Sequence, residues 1–161
     1  MRIIVMSDSH GDFSRVRRIF EDNIPGADLF LHLGDGAKDF EDAGWLFPGV
    51  QKKNVRGNCD VGYGWDLPQE GLLDLMGKKV YYTHGDRWGV KYGLDEIERA
   101  GRERGADVVL FGHTHQAVAE FRDGLWLINP GSVRYGRDGG GPGYLALDIT
   151  DAGVVPVHRS L

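Results

Sequence analysis

Five times along this chain, an apolar run ends at a glycine that adjoins a polar residue. Glycine allows the backbone to turn sharply or to approach a ligand closely. One such segment would indicate an ordinary turn, but five indicate loops that converge at the ends of several strands. The segments are Ser9-His10-Gly11, Leu33-Gly34-Asp35, Arg56-Gly57-Asn58, His84-Gly85-Asp86 and Phe111-Gly112-His113.

The hydrophobic pattern predicts an α/β fold. Arg2 to Ser7 contains a continuous apolar run, as expected for a central strand buried on both faces. Asp12 is placed to cap a helix that runs to about Asn23. Further helices are predicted at 38–47 and 92–104, and further strands at 28–33, 50–55, 71–76, 78–83, 107–111, 117–121, 125–128, 144–149 and 154–158. Helices alternate with strands early and strands dominate late, which predicts two sheets packed face to face with helices outside.

Size and composition favour a single soluble globular domain. The chain has 161 residues and no linker divides it, so residues 1–161 are predicted to form a single domain. The formal charge of −5 argues against stable nucleic-acid binding. The single cysteine, Cys59, fits a reducing compartment, and no apolar run is long enough for a membrane span. We therefore expect a cytoplasmic protein with no membrane association.

Residues of metal-ligand type gather at the predicted strand ends. Asp8 and His10 are one residue apart after the first strand, and His113 and His115 repeat this spacing. Side chains alternate along extended chain, so we expect each such pair to face the same way. Ligand sites of α/β sheets gather at the carboxyl ends of strands. The candidate ligands are Asp8, His10, Asp35, Asn58, His84, His113 and His115.

The chemistry of this set indicates transition metals. It combines oxygen and imidazole nitrogen ligands without thiolate, which suits manganese, iron, zinc, nickel or cobalt. Seven ligands exceed the needs of one tetrahedral ion and suit two ions that share a carboxylate. Two divalent ions with Asp8 and Asp35 as the anionic ligands retain a charge of about +2, which attracts a phosphate group.

The motifs also resemble those of a known family. They occur in the order Asp8-Ser9-His10, Gly34-Asp35, Gly57-Asn58-Cys59-Asp60, Thr83-His84-Gly85 and Gly112-His113-Thr114-His115, with Asn129-Pro130-Gly131-Ser132 downstream. This series resembles the calcineurin-like metallophosphoesterases, in particular their small bacterial and archaeal phosphodiesterase branch. The resemblance implies a four-layer αββα sandwich of two mixed sheets. It also implies that Asp35 bridges two ions, one held with Asp8, His10 and His115 and the other with Asn58, His84 and His113.

The resemblance implies an activity as well. It predicts a phosphodiesterase in which metal-bound hydroxide attacks a small phosphoester. Manganese is the first choice of metal, and nickel, iron, zinc or cobalt are alternatives. A homo-oligomer is possible. The predicted catalytic residues are Asp35, Asn58 and His113. The predicted substrate-binding residues are Asn58, Arg56, Asp86 and Arg134. Two alternatives stay open, namely a phosphomonoesterase or nucleotidase and a non-catalytic scaffold with the same fold.

Four further positions carry separate expectations. Cys59 occupies the place where many members of the superfamily have a proton-donating histidine, and by default it is expected to be a small buried hydrophobe. Asp86 stands where this branch commonly has histidine. His32 is expected to be a core residue or to support the ligands, and His158 to be packed or solvated rather than a ligand.

Overall fold

The computed structural model describes residues 1–137 and 139–161. Within these residues the chain forms three α-helices, one 3₁₀ helix at Asp86–Trp88 and ten strands. The helices are α1 (Phe13–Asn23), α2 (Ala37–Trp45) and α3 (Asp95–Glu103). The strands are β1 (Arg2–Met6), β2 (Leu29–His32), β3 (Lys52–Asn54), β4 (Glu70–Leu75), β5 (Lys78–Thr83), β6 (Val108–Leu110), β7 (Ala117–Arg122), β8 (Leu125–Pro130), β9 (Gly143–Thr150) and β10 (Gly153–Ser160).

The strands form two mixed sheets of five strands each. The first has the order β10-β9-β1-β2-β3, in which β1, β2 and β3 are parallel and β9 and β10 are antiparallel to their neighbours. The second has the order β4-β5-β6-β8-β7, with β5, β6 and β8 parallel between antiparallel edge strands. The prediction of two mixed sheets is therefore confirmed.

The sheets pack face to face through their aliphatic side chains. Ile3 and Val5 of β1 contribute to a buried cluster that also contains Val80 of β5 and Leu110 of β6. Ile4 of β1 points to the opposite face, because side chains alternate along a strand. This explains why the first strand is apolar at every interior position.

Helices cover the two outer faces. On the first sheet, Phe20 of α1 stacks on Phe30 of β2 with ring centroids 4.3 Å apart. The Asp12 carboxylate accepts a hydrogen bond from the Arg15 backbone N–H at 3.2 Å, so the predicted cap of α1 is confirmed. On the second sheet, Ile97 of α3 packs in a cluster with buried side chains of β5, β6 and β8. The layers follow the order αββα, as predicted.

Several boundaries differ from the sequence prediction. The third helix begins at Asp95 rather than at 92, and the 3₁₀ helix at Asp86–Trp88 was not predicted. The Gly85 φ of 102° and the Gly89 φ of 59° separate this short helix from the flanking chain. The described residues contain no helix with the length and apolar character that crossing a membrane would require.

The candidate ligands lie at one edge of the sandwich. They follow the carboxyl ends of β1, β2, β3, β5 and β6, all of which run parallel to a neighbour. The loops after these strands are joined by backbone hydrogen bonds, such as Asp8 N–H to Gly34 O at 3.0 Å and Gly112 N–H to His84 O at 2.9 Å. The fold therefore brings five separate loops to one place.

Candidate metal centre

All seven candidate ligands meet at this edge. Six of them form two groups, Asp8 with His10 and His115, and Asp35 with His84 and His113. Within each group, one ligand-type atom from each residue lies within 4.8 Å of the others. Asn58 adjoins the second group. The structure thus brings together the residues that the sequence singled out.

The first group is compact. The Asp8 Oδ1 atom lies 3.1 Å from His115 Nε2 and 3.7 Å from His10 Nε2. The two imidazole nitrogens, His10 Nε2 and His115 Nε2, lie 3.2 Å apart. Three donor atoms therefore face one point.

The second group has a similar arrangement around His84. Its Nε2 atom lies 3.1 Å from His113 Nδ1, 3.1 Å from Asn58 Oδ1 and 3.4 Å from Asp35 Oδ2. The same Asp35 oxygen lies 3.9 Å from His10 Nε2 of the first group. Asp35 Oδ2 is therefore the atom that joins the two groups.

The protein holds one oxygen of each carboxylate and leaves the other facing the centre. Asp8 Oδ2 accepts hydrogen bonds from the Ser7 hydroxyl at 2.6 Å and from the His113 backbone N–H at 3.0 Å. Asp35 Oδ1 accepts one from the Cys59 backbone N–H at 2.7 Å. The remaining oxygens, Asp8 Oδ1 and Asp35 Oδ2, are the atoms that approach the histidines.

His84 is oriented in the same way. Its Nδ1 atom lies 2.7 Å from the Leu33 carbonyl oxygen, to which it donates. The other ring nitrogen, Nε2, then faces Asp35 and His113. Such an outer hydrogen bond fixes the tautomer and the orientation of a metal-binding histidine.

Two observations test whether divalent metal ions fit here. Asp8 Oδ1 is buried and has no hydrogen-bond partner among the described residues, which is costly for an ionised oxygen unless a cation compensates it. Metal–ligand bonds of about 2.0–2.2 Å place neighbouring ligand atoms about 3–3.5 Å apart. The 3.1 Å between Asp8 Oδ1 and His115 Nε2 falls in this range. The donor set and its spacing fit divalent ions.

The backbone of the ligand loops is strained. Asp8, His10, Asp35, His113 and His115 all have positive φ, between 43° and 68°. Non-glycine residues rarely adopt this conformation, and it clusters at functional sites. Asp8 and His10 do face the same site, but not because the chain is extended, as the sequence suggested. β1 ends at Met6, and both residues have a left-handed backbone conformation.

Asp60 ties two of these loops together and was missed as a functional residue. Its carboxylate accepts hydrogen bonds from the backbone N–H groups of Asp35, Gly36, Ala37 and Gly57, at 2.8–2.9 Å. A charged acceptor for four N–H groups fixes the loop after β2 against the loop after β3. Its place in the segment Gly57-Asn58-Cys59-Asp60 was the one sequence signal available.

Gly57 explains why a glycine adjoins a ligand in this motif. A Cβ atom at this position would lie 2.1 Å from Asp35 Oδ1 and 2.3 Å from the Asp35 backbone nitrogen. Any side chain would thus displace the carboxylate that joins the two groups. Close backbone approach, and not chain flexibility, is the reason for glycine here.

The charges of the centre are mutually stabilising without metal. Burial opposes ionisation of Asp35, but the hydrogen bond and charge of His84 outweigh it and lower the Asp35 pKa to about 2. Burial likewise opposes charge on His84, yet Asp35 and Asp8 raise its pKa to about 9. The Asp8 pKa is also lowered, because the nearby histidines and the Ser7 hydroxyl outweigh its burial. In the metal-free protein the carboxylates are therefore ionised and His84 carries a proton, which a metal ion must displace on binding.

Cys59 differs from its expectation. The sequence predicted a buried side chain, but Cys59 is exposed. Its sulfur lies within 4.8 Å of donor atoms of His10 and Asp35, and its backbone N–H donates to Asp35 Oδ1 at 2.7 Å. Partial desolvation and the charge of Asp35 raise the pKa of its thiol to about 11. The thiol therefore stays protonated at neutral pH.

The predicted substrate-binding residues lie on two sides of the centre. Arg56 and Asp86 line a cleft that also includes Asn58. Arg134 lies in a second, wider cleft with His10 and Asp35, and its guanidinium donates to the His10 carbonyl.

The other aromatic and histidine side chains can be placed as well. Trp88 packs in the core and donates to the Tyr81 hydroxyl at 3.0 Å, whereas the Tyr135 ring lies 5.1 Å from the His115 ring, at the centre. His32 is fully buried and accepts from the Gly34 backbone N–H at 3.1 Å, in agreement with a supporting core role. His158 donates to the Asn129 carbonyl at 2.7 Å and is packed, as expected.

Known proteins resemble the chain in both sequence and fold. A probable metallophosphoesterase of Bacillus subtilis, YsnB, is 35% identical over 138 residues, which cover 85% of this chain and 78% of the relative. The phosphodiesterase YfcE of Escherichia coli K12 is 28% identical over 179 residues, covering 98% and 93%. The crystal structure of a predicted phosphoesterase from Streptococcus pneumoniae TIGR4 superposes with a TM-score of 0.80 at 24% identity. The superposition covers 98% of this chain and 97% of that one, which shows the shared fold.

These relatives, together with the Asp and His groups of the centre, indicate the class of a metal-dependent phosphoesterase. The sequence model of the calcineurin-like phosphoesterase superfamily domain matches residues 1–152. The chain belongs to this superfamily, and its use of divalent metal follows from the family and from the Asp and His groups described above.

Proposed function

We propose that the chain is a two-metal phosphodiesterase that acts on a small phosphoester, with manganese as the working metal. The observation that carries the proposal is the position of Asp35 Oδ2, which lies 3.4 Å from His84 Nε2 and 3.9 Å from His10 Nε2. One carboxylate oxygen placed between two groups of donors is the arrangement that a metal pair requires.

Each ion has a proposed set of ligands. One is held by Asp8, His10, Asp35 and His115, and the other by Asp35, Asn58, His84 and His113. When bound, the ions supply a nucleophilic hydroxide at neutral pH and neutralise charge on the phosphoryl oxygens. The mixture of oxygen and imidazole ligands is compatible with manganese and also with nickel, iron, zinc or cobalt.

The residues of the chain supply orientation. Asn58 is exposed at the centre while its Oδ1 faces His84, and its amide Nδ2 donates to the Cys59 sulfur at 3.2 Å. We assign Asn58 to the second ion and to contact with the phosphoryl group. Asp35 and His113 complete the catalytic set, because both place a donor atom in the second group. Arg134 is assigned to the substrate from the wider cleft.

Diester specificity is supported by two considerations. The relatives include proteins named phosphodiesterases, among them YfcE of Escherichia coli. In addition, the exposed Cys59 stands where a histidine could donate a proton to the leaving group, and a thiol is a weak hydrogen-bond donor. Aryl diesters with good leaving groups need this proton least, whereas alkyl monoesters need it most.

The test compares bis(p-nitrophenyl) phosphate with the monoester p-nitrophenyl phosphate, using protein stripped of metal and then reloaded with manganese. We expect hydrolysis only after reloading, with a higher kcat/KM for the diester. Cys59→His should shift the ratio of the two kcat/KM values toward the monoester. General-acid help is worth about 10²–10⁴-fold at best, and a grafted histidine should recover a small part of it.

Cys59→Ser is the matched control, since it keeps the size of the side chain without adding an imidazole, and its ratio should stay near that of the wild type. A wild type that prefers the monoester would instead favour the phosphomonoesterase alternative. A fully loaded protein that hydrolyses neither ester would favour the non-catalytic scaffold.

A further inference from the structure

A narrow cleft adjoins the centre on the Asn58 side. It has a volume of about 120 Å³, and its polar lining includes Arg56, Gln69, Asp86 and Arg87 together with the indole of Trp65. A single water needs about 10–15 Å³ measured in this way, so the cleft holds a group of several non-hydrogen atoms. His10 and Asp35 line the wider cleft instead. The narrow cleft shares Asn58 with the centre, so a group bound against Arg56 and Arg87 would lie next to the reacting phosphoryl group.

Two cations of this cleft lack a carboxylate partner. Neither Arg56 nor Arg87 has an ion pair within 4.0 Å among residues 1–137 and 139–161, although most other arginines do. The paired arginines are Arg2, Arg15, Arg17, Arg18, Arg99, Arg102, Arg104 and Arg122. Glu70 lies near enough for the charge of Arg87 to lower its pKa, but its ion pair is with Arg104, at 2.9 Å. Arg56 and Arg87 therefore keep N–H donors that a negative ligand can use.

Both guanidinium groups are held in place by uncharged neighbours. The Arg56 guanidinium carbon lies 4.8 Å from the centroid of Trp65, which is 67% exposed. Arg87 donates to Gln69 Oε1. Stacking and amide contacts restrict a side chain without neutralising its charge, so less freedom is lost when an anion binds.

The cleft also contains two carboxylates, which formally balance the two guanidinium groups. Both oxygens of Asp60 are engaged by backbone N–H groups, so Asp60 keeps its charge but is not paired with either arginine. Asp86 lies at the start of the 3₁₀ helix and is the carboxylate that competes with a negative ligand. Removal of the Asp86 charge should therefore strengthen the attraction for such a ligand.

We propose that this cleft is a subsite for a second anionic group of the substrate, a carboxylate or a phosphate that is remote from the scissile phosphoryl. Guanidinium groups bind both of these anions with paired hydrogen bonds. The inference rests on the proposed phosphodiesterase function and adds to it a substrate class, namely a diester that carries one further negative charge on an arm.

The test uses p-nitrophenyl diesters that share one leaving group. The second arm is a propyl chain ending in a carboxylate, in a phosphate or, as the uncharged reference, in a methyl ester. The readout is kcat/KM for each charged ester divided by kcat/KM for the methyl ester, at constant ionic strength. We expect a wild-type ratio of about 2–5 for one charged ester, the range that a partly exposed ion pair gives. The ester with the larger ratio identifies the preferred anion.

Four variants sharpen the test. Arg56→Gln and Arg87→Gln should each bring the ratio toward 1 through a higher KM for the charged ester, and Asp86→Asn should raise it. Arg17→Gln, on the outer surface of α1, is the matched control and should leave the ratio unchanged. A wild-type ratio near 1, or equal ratios in Arg56→Gln, Arg87→Gln and wild type, would overturn the subsite while leaving the phosphodiesterase intact. Failure of the loaded wild type to hydrolyse any of the three esters would overturn both.

Discussion

The same strained backbone conformation occurs in two regions, the ligand loops after β1, β2 and β6 and the hairpin turns, but it serves different purposes in them. Met76, between β4 and β5, and Asp123, between β7 and β8, have φ of 52° and 42° and are exposed. Each precedes a glycine of positive φ, as a tight hairpin of this type requires. In the ligand loops, Asp8 and Asp35 adopt similar angles but are buried.

The difference lies in what maintains the strain. A hairpin turn is held by its two neighbouring strands, and its tip can change without affecting the rest of the sheet. The ligand loops are held by one another, for example by the His10 N–H to Asp35 O hydrogen bond of 3.0 Å and by the contacts of Asp60. Left-handed residues cost about 1–3 kcal/mol each, so the loops retain this geometry at the expense of stability. Substitutions in the two regions should therefore act differently.

The largest effect is expected from Asp35→Ala. Loss of the carboxylate that lies between the two groups should remove both ions and reduce hydrolysis of the diester to background, by well over 100-fold. His32→Ala is the comparison, because His32 is buried behind the centre and contacts a backbone N–H. It should retain metal and part of the activity. Loss of metal in His32→Ala together with an active Asp35→Ala would reverse the assignment.

Asp60→Asn should weaken the centre without removing a ligand. An amide cannot accept from four N–H groups as the carboxylate does, so the loops that carry Asp35 and Asn58 lose their common support. We expect manganese affinity to fall by about 10–100-fold, as measured by calorimetry. Asp42→Asn, at an exposed ion pair on α2, is the control and should bind manganese as the wild type does. Equal affinities in the two variants would show that Asp60 does not support the loops.

The affinity of the centre for metal ions should also depend on pH, because of His84. In the metal-free protein the pKa of His84 is raised to about 9, so below this pH the imidazole carries a proton that a metal ion must displace. Affinity should therefore rise as pH rises toward about 9, by up to about tenfold per pH unit from this group alone. Manganese titrations from pH 6.5 to 8.0 measure the slope. A manganese affinity that does not change over this pH range would contradict the claim that His84 is protonated in the metal-free protein.

The smallest effect is expected from relief of strain. Met76→Gly should raise the melting temperature by about 2–3 °C, since glycine adopts positive φ freely and the gain exceeds its entropy cost by about 0.5–1 kcal/mol. The rise should appear with and without manganese. His10→Gly should relieve similar backbone strain but abolish the increase in melting temperature that manganese gives the wild type. Scanning calorimetry of both variants, metal-free and loaded, makes the comparison; an intact manganese effect in His10→Gly would remove His10 from the ligands.

Much of this architecture is visible in the sequence. The continuous apolar run of β1 predicts burial on both faces, and Met76-Gly77 and Asp123-Gly124 mark turns between adjoining strands. The seven candidate ligands could be chosen because each follows an apolar run near a glycine. These features depend on local chemistry, which a single sequence records directly.

Other features depend on contacts between distant segments. The left-handed backbone of Asp8 and His10 is imposed by the loop that follows β2, so the sequence led to the wrong local conformation. The contacts of Asp60 and of the Cys59 backbone N–H with Asp35 both join the loops after β2 and β3. The Arg56–Trp65 stack likewise joins residues whose proximity has no periodic signature.

The central claim is a pair of metal ions joined by Asp35, and the most direct measurement is the metal content of the purified chain. Protein stripped of metal, reloaded with manganese and freed of loosely bound ions should contain close to two manganese ions per chain by elemental analysis. A stoichiometry of one ion or fewer per chain, in protein that hydrolyses the diester at its full rate, would contradict the two-metal account.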